Sequence, residues 1–431
     1  MAQPKSLAAL REERLIGHNV LVAGGTILAG GLGLAFQIVV SHRLRPSEYS
    51  AVFAAMTLLT LIGLPASALT LLMARETSRD RAAGHSAASA ALLRSGNRTL
   101  LFAGVVLGLL FAAGSPWIGV FFSVPPEFVI AMAAGFPVTL ALPLLLGELQ
   151  GQQRFLSFAS LNVGAAGLKL VAAIALGLAI GPVGVVLGVA AAATISYGIA
   201  FWLVRRRMAM RLGTAWVRSA LRYLALILPS TLALSVLLSA DVLLVKHFFS
   251  GRAAGEYSAV AALGRAIFWG AAGVAAVLFP KVTFHESQGR SGTRIIGVAL
   301  GLVAVGGLGG LTVLGIAARP IITAFAGSAY AASAAILPLY AIAMALLGGA
   351  AVLIATQQSR ARAAFLAVLV PVTLFEPILI VAFHHSLAQV VWVVTLSMAV
   401  LVAGLAATMI MQSTLRPPGA PFSVVTAEAQ T

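Results

Sequence analysis

The chain has 431 residues and no cysteine. Disulfides, thiolate metal centres and a cysteine nucleophile are therefore excluded. Charge is scarce too: 9% of residues are charged, against about 25% in an average soluble domain. Acid is scarcer still, with 12 Asp+Glu and two aspartates, Asp80 and Asp241. No G-x-x-x-x-G-K-[ST] stretch occurs, so no loop cradles ATP phosphates. Gly24-Gly25 and Gly30-Gly31 lie inside an apolar run, where they serve packing or bending. No connecting segment exceeds about 25 residues, which leaves no room for a separate soluble domain. Paired carboxylates and an activated nucleophile are missing as well, so no enzyme, cofactor or metal site is expected.

Apolar residues dominate at 60%, with a mean hydropathy of +1.01. Spans of the roughly 20 residues needed to cross a bilayer recur twelve times. They fall near 17–40, 50–74, 98–122, 127–149, 156–180, 183–204, 222–246, 257–279, 295–318, 333–356, 363–384 and 388–412. Pro, Gly and Arg punctuate their ends, as in Arg45-Pro46, Pro125-Pro126, Gly181-Pro182 and Arg319-Pro320. The expected fold class is an all-α polytopic membrane protein of twelve transmembrane helices. The first apolar span, behind Lys5, Arg11, Glu12, Glu13 and Arg14, is too long for a signal peptide and reads as an uncleaved helix. The expected organisation is a lead (1–16), a six-helix half (17–205), a linker (206–221), a second half (222–412) and a disordered tail (413–431).

Net charge is +16, from 24 arginines and 4 lysines against the 12 acids. In a soluble chain this would suggest nucleic acid. Here the bases lie between apolar spans. With the N-terminus placed inside, inner segments hold 21 Lys+Arg and outer segments five, namely Arg43, Arg45, Lys246, Arg252 and Arg319. That asymmetry predicts cytoplasmic termini, with lipid rather than nucleic acid as the surrounding partner.

The halves repeat. Glu48-Tyr49-Ser50-Ala51-Val52 recurs as Glu256-Tyr257-Ser258-Ala259-Val260, an offset of 208 residues. At that offset Gln150 meets Gln358 and Arg154 meets Arg362. Six helices per repeat insert both halves the same way up, and a cleft between them is expected.

Ser41 to Ser50, reading SHRLRPSEYS, resembles the R-x-L-G-P-x-x-Y-G turn of polysaccharide-biosynthesis flippases in the multidrug/oligosaccharidyl-lipid/polysaccharide exporter superfamily. Arg45 and Ser50 stand where glycines are usual. Leu149 to Phe155, reading LQGQQRF, is similar to that family's LQG-x-x-RF turn. Asp241 with Gly255-Glu256-Tyr257, Pro280, and the run from Pro320 to Tyr330 are similar to further stretches, in order, along essentially the whole chain. The resemblance implies an O-antigen or capsule-type flippase that carries a polyprenyl-pyrophosphate-linked oligosaccharide to the outer leaflet. A polysaccharide polymerase and glycosyltransferases are the protein partners it implies.

Four ionisable residues fall inside spans: Lys169, Asp241, Arg265 and Glu376. Each costs about 2.5–3.5 kcal/mol at a helix centre on insertion scales, so each is expected to face a cavity or a partner. Arg265 suits a pyrophosphate through its planar donor fork, or else pairs with Asp241 at similar depth. Asp241 is alternatively a proton or sodium site. Lys169 maps at the repeat offset onto Pro377, beside Glu376, which suggests either a Lys–Glu gate or separate local partners. Arg75 and Arg154, at inner turns, either anchor the chain or meet the pyrophosphate on entry. Gln37, with His18 and Asn19, supplies polar groups in the first span. Lys246 is expected to snorkel outward. His384 and His385 point about 100° apart on a helix, poor geometry for a metal. The substrate-binding candidates are thus Arg265, Lys169, Arg75, Arg154 and Gln37, and the gating or coupling candidates are Asp241 and Glu376.

A proton- or sodium-coupled drug antiporter on the same scaffold is the competing expectation. It predicts a carboxylate in an N-terminal-half helix, and the first span has none. Ala74 to Arg81, reading ARETSRDR, does not match the major-facilitator loop G-x-x-x-D-R-x-G-R-R.

Overall fold

The computed structural model describes the backbone of residues 7–82, 87–208, 217–287, 293–359 and 363–414. The expected disorder beyond Thr414, the side chains of His18 and Asn19, and Arg362 all lie outside the described residues.

The protein is all-α, with no strand among the described residues. Helices α1 (Leu7–Arg43), α2 (Pro46–Ala82) and α3 (Ala87–Ala113) lead into two short helices, α4 (Ser115–Phe121) and α5 (Pro126–Ala133). Three more follow: α6 (Phe136–Gly151), α7 (Phe155–Ile180) and α8 (Pro182–Met208). The series then restarts with a broken pair, α9 (Val217–Leu237) and α10 (Ala240–Phe248), and continues through α11 (Gly251–Ser287) and α12 (Thr293–Ile316). Short α13 (Ala318–Ala326) and a 3-10 turn at Ser328–Ala335 precede α14 (Leu337–Ser359), α15 (Leu366–Ala382) and α16 (Leu387–Thr414). Among the described residues, eleven spans are long and apolar enough to cross a membrane. The shorter apolar α15 stands where the sequence places the eleventh of its twelve.

Several boundaries differ from those the apolar runs suggest. The third run, 98–122, is interrupted at Gly114, where Pro116 starts α4 without a free N–H to continue α3. The fourth is split at Ala134–Gly135, and Pro137 sits in the first turn of α6. The seventh breaks at Leu238–Ser239. α2 overruns its apolar run to Ala82 because its polar end, Glu76 to Arg81, finds partners described below.

Chain contacts define two units, Met1–Thr231 and Leu232–Thr431. Inside the first, α6 packs on α2, α3 and α8, and α7 on α8. Inside the second, α14 packs on α11, α12 and α16, and α15 on α16. The same pairings in the same order are what an internal repeat produces. Short elements after α3 and after α12 repeat as well.

Each unit buries aliphatic residues with several tyrosines and phenylalanines, and turns other large apolar side chains outward. Met73, Leu93, Leu144, Leu145 and Val204 form part of the first core. Phe102 is 70% exposed and Trp117 76%, as lipid-facing side chains are. Glycine sets the closest approaches. A Cβ on Gly147 would strike the Thr70 carbonyl and come within 2.8 Å of Met73 Cβ, so α6 can meet α2 only without a side chain there. Thr70 closes that contact by donating to the Pro143 carbonyl at 2.9 Å.

Gly147→Val is expected to lower stability by about 1–3 kcal/mol through overpacking. Gly198, with nothing within 4 Å of its would-be Cβ, tolerates valine with a change below about 0.5 kcal/mol. Thermal unfolding of the two variants in detergent checks the contrast.

Candidate functional site

The break between α9 and α10 places Asp241 in the first turn of a new helix, where the N-terminal dipole favours a carboxylate. Asp241 is fully buried, and three helices converge on it. Tyr257 of α11 donates its phenol O–H to Oδ2 at 3.0 Å, and Tyr340 of α14 donates to the same oxygen at 2.8 Å. Arg265, two turns beyond Tyr257 on α11, donates from Nη2 to Oδ1 at 3.0 Å. The two tyrosine rings meet edge to face, with centroids 5.7 Å apart. Gly264 makes this possible, since a Cβ there would run into the Tyr340 ring. A buried carboxylate is stable only when its remaining lone pairs are also satisfied, and the two phenols do that for Asp241.

The structure therefore brings together the pair that depth alone suggests, Asp241 and Arg265. It adds Tyr340, which sequence spacing does not reveal, and gives Tyr257 of the repeated Glu-Tyr-Ser-Ala-Val run a task. Glu376, between Pro371 and Pro377 on α15, is in the same unit and fully buried. It lies within electrostatic reach of Asp241 and Arg265. Neither carboxyl oxygen has a hydrogen-bond partner among the described residues. Lys246 does not snorkel outward: it is 3% exposed, buried on the last turns of α10. His384 stacks on Phe248 with centroids 3.9 Å apart, and His385 turns to Gln389.

The first unit arranges its polar groups differently. Tyr49, the repeat counterpart of Tyr257, is also fully buried and donates to Gln37 Oε1 at 3.2 Å. Lys169 of α7 places its Nζ over the Phe36 ring of α1, 4.6 Å from the centroid. No carboxylate pairs with Lys169 among the described residues. Arg154 donates to the Leu203 carbonyl at 3.0 Å, so its guanidinium ties the α6–α7 turn to α8. Gln153 precedes it with φ of 59°, which turns the chain so that Arg154 can reach back. Arg75 stacks over the Tyr223 ring at 4.4 Å and lies 3.7 Å from Glu76.

Sequence reasoning misses Glu148, at the end of the fourth apolar run. It is fully buried. Thr77 of α2 donates to Oε2, while Gln152 and Arg207 of α8 donate to Oε1, the latter at 2.9 Å. Arg207 also reaches Ser89 of α3 at 2.9 Å. Four helix ends are thus tied to one carboxylate. Its placement just before the LQG turn is the one signal the sequence offers.

Asp241→Ala is expected to cost about 3–5 kcal/mol, because Arg265 stays buried without its anion. Tyr340→Phe costs about 1 kcal/mol for one hydrogen bond. The double variant Asp241→Leu with Arg265→Met recovers much of the first loss, since no charge is left stranded. Denaturant titrations of the purified protein measure all three.

No family model matches the sequence, and no curated protein matches it. Solved structures do. An inward-facing multidrug resistance MATE family transporter of the MOP superfamily superposes with a TM-score of 0.74 at 15% identity, over 90% of this chain and 96% of its own. The lipid II flippase MurJ, in an inward closed conformation, gives 0.72 at 12% identity over 91% of this chain and 87% of its own. The eukaryotic MATE transporter AtDTX14 gives 0.70 at 13% identity over 92% and 96%. Likeness at these identities establishes the fold alone, the one these transporters and this flippase share.

Proposed function

We propose that the chain moves an anionic lipid-linked glycan, an oligosaccharide on a polyprenyl pyrophosphate, from the inner to the outer leaflet of a bacterial inner membrane by alternating access. One observation carries this reading: the embedded cation of the first unit, Lys169, has no carboxylate beside it among the described residues, whereas the buried carboxylates of that unit, Glu148 and Glu76, are held by arginines near the helix ends. A cation is retained inside a span where it meets an anion or lines a cavity. An ammonium above an aromatic face is a fitting receptor for a pyrophosphate passing through. Among the solved relatives in fold, one is a flippase of lipid II, which supports a lipid-linked cargo.

In this reading Lys169 receives the head group and Gln37 supplies a neighbouring polar contact. Arg75, with its side chain 40% exposed, receives the head group on the cytoplasmic side. Arg154, occupied with the α8 backbone, holds the turn. Arg265 reaches the cargo only when Asp241 releases it, which makes their pair a gate. The excess of 21 inner over five outer bases supports cytoplasmic termini, on the side where glycosyltransferases would deliver the substrate. A polymerase would take it up on the far side.

A second reading rests on Glu376. A fully buried carboxyl with no hydrogen-bond partner among the described residues suits a proton- or cation-coupled drug antiporter, and most of the fold relatives are MATE transporters.

Proteoliposomes offered a lipid-pyrophosphate-linked oligosaccharide decide between them. Wild type flips the lipid, Lys169→Ala slows flipping by about tenfold or more, and Lys169→Arg keeps most of it. Unchanged flipping in Lys169→Ala removes the head-group role. Absence of flipping, with gradient-driven uptake of a cationic compound that is lost in Glu376→Gln, establishes the antiporter instead.

A further inference from the structure

Helices α3 and α8 run antiparallel and side by side. Asn97 Nδ2 donates to Tyr197 Oη at 2.9 Å, the Tyr197 hydroxyl returns a bond to Asn97 Oδ1 at 3.1 Å, and Arg207 reaches Ser89. Each helix presents an exposed apolar stripe. On α3 it runs through Phe102, Val105 and Leu109, and on α8 through Ile195, Ile199 and Trp202. Both stripes end in bases at the same end of the bundle. Arg94 and Arg98 close the α3 stripe at spacings of four residues, and Arg205 and Arg206 close the α8 stripe. All four are exposed.

At 1.5 Å per residue, Arg94 and Arg98 flank the Asn97–Tyr197 level, with Trp202 about 7.5 Å and Arg205 about 12 Å toward the α8 C-terminus. The Arg205 guanidinium lies over the Trp202 ring, 5.4 Å from its centroid. None of the four arginines is ion-paired among the described residues. The nearby acids are occupied: Glu148 by Arg207, Glu76 by Arg75 and Arg79, and Asp80 by the Ser89 N–H. The patch therefore carries positive charge that no acid among the described residues neutralises.

We infer that the α3–α8 seam is a binding site for an anionic glycerophospholipid of the leaflet at the α8 C-terminal end. The occupant must be amphiphilic, since the basic ladder continues directly into two apolar stripes. Acyl chains lie along Phe102, Leu109 and Ile199, and the phosphate sits among Arg94, Arg98 and Arg205, whose long side chains reach toward the head-group layer. Trp202 lies between the levels of Arg94 and Arg205, at the height of the head groups, where indoles sit at membrane boundaries. The site is independent of what the protein transports.

The test uses the full chain with Trp117, Trp216, Trp269 and Trp392→Phe, which leaves Trp202 as the sole indole. It is reconstituted in phosphatidylcholine vesicles containing either dibrominated phosphatidylglycerol or dibrominated phosphatidylcholine, since bromine quenches an indole only on contact. Brominated phosphatidylglycerol is expected to quench at about a tenfold lower mole fraction. Replacing Arg94, Arg98, Arg205 and Arg206 by Gln removes that preference, and replacing the four by Lys keeps most of it. Should the Gln variant fail to fold, as judged by thermal unfolding, the single change Arg98→Gln is expected to reduce the preference about threefold. Equal quenching by the two lipids, or a preference that survives the loss of the arginines, overturns the proposal. So does abolition of the preference by inorganic phosphate at constant ionic strength, because the site would then read free phosphate and not a lipid.

Discussion

Asp241, bonded to Arg265 and to two tyrosines, ties three helices of the second unit to one point. A charge inside hydrocarbon has no water to answer it, so any helix that carries one must bring its answer along. Asp241 arrives at the start of α10, Arg265 arrives on α11, and the phenols of Tyr257 and Tyr340 fill the positions the guanidinium leaves open. The consequences spread outward. α11 and α14 must approach closely enough for both tyrosines to reach one oxygen, and Gly264 is what lets them. The chain break at Ser239 is the local condition for the arrangement, since it turns a helix start toward the pair.

The first unit meets the same constraint with other chemistry. Its buried tyrosine donates to the neutral Gln37, and its buried carboxylate sits at the helix ends, tied to Thr77, Gln152 and Arg207. Lys169 is left above the Phe36 ring. The repeat has thus kept the packing, with Tyr49 and Tyr257 in matching roles, while the charges have diverged. One unit encloses an anion–cation pair inside a span; the other keeps its pair, Glu148 with Arg207, at the helix ends and leaves Lys169 within a span. This asymmetry, more than either group alone, is what the flippase reading rests on.

The spans and the repeat were legible because both depend on local features, apolar run length and motif spacing. The breaks at Gly114 and Ser239 were less so, since the residues on either side remain apolar and the runs read through them. Asp241 and Arg265 could be paired from depth alone, but Tyr340 could not: it lies 99 residues from Asp241, and a lone phenol in a span signals nothing by itself. Glu148 was hidden by its place at the end of an apolar run, where an acid reads as interfacial. Lys246 misled for a related reason. Near a predicted helix end a lysine is expected to stretch toward water, yet tertiary packing covers it. Arg154 shows the reverse case, a conspicuous motif residue whose partner is a backbone carbonyl.

α15 has 17 residues, and a helix of that length rises about 26 Å, against a hydrocarbon layer of about 30 Å. Beside this helix lipid and protein do not match in thickness, and the bilayer must thin or the helix ends must draw polar groups inward. His384 and His385 stand directly after α15, where the membrane surface would dip. The short helix thus turns a difference of a few ångströms into a local deformation of the membrane, about two helical turns from the buried Glu376.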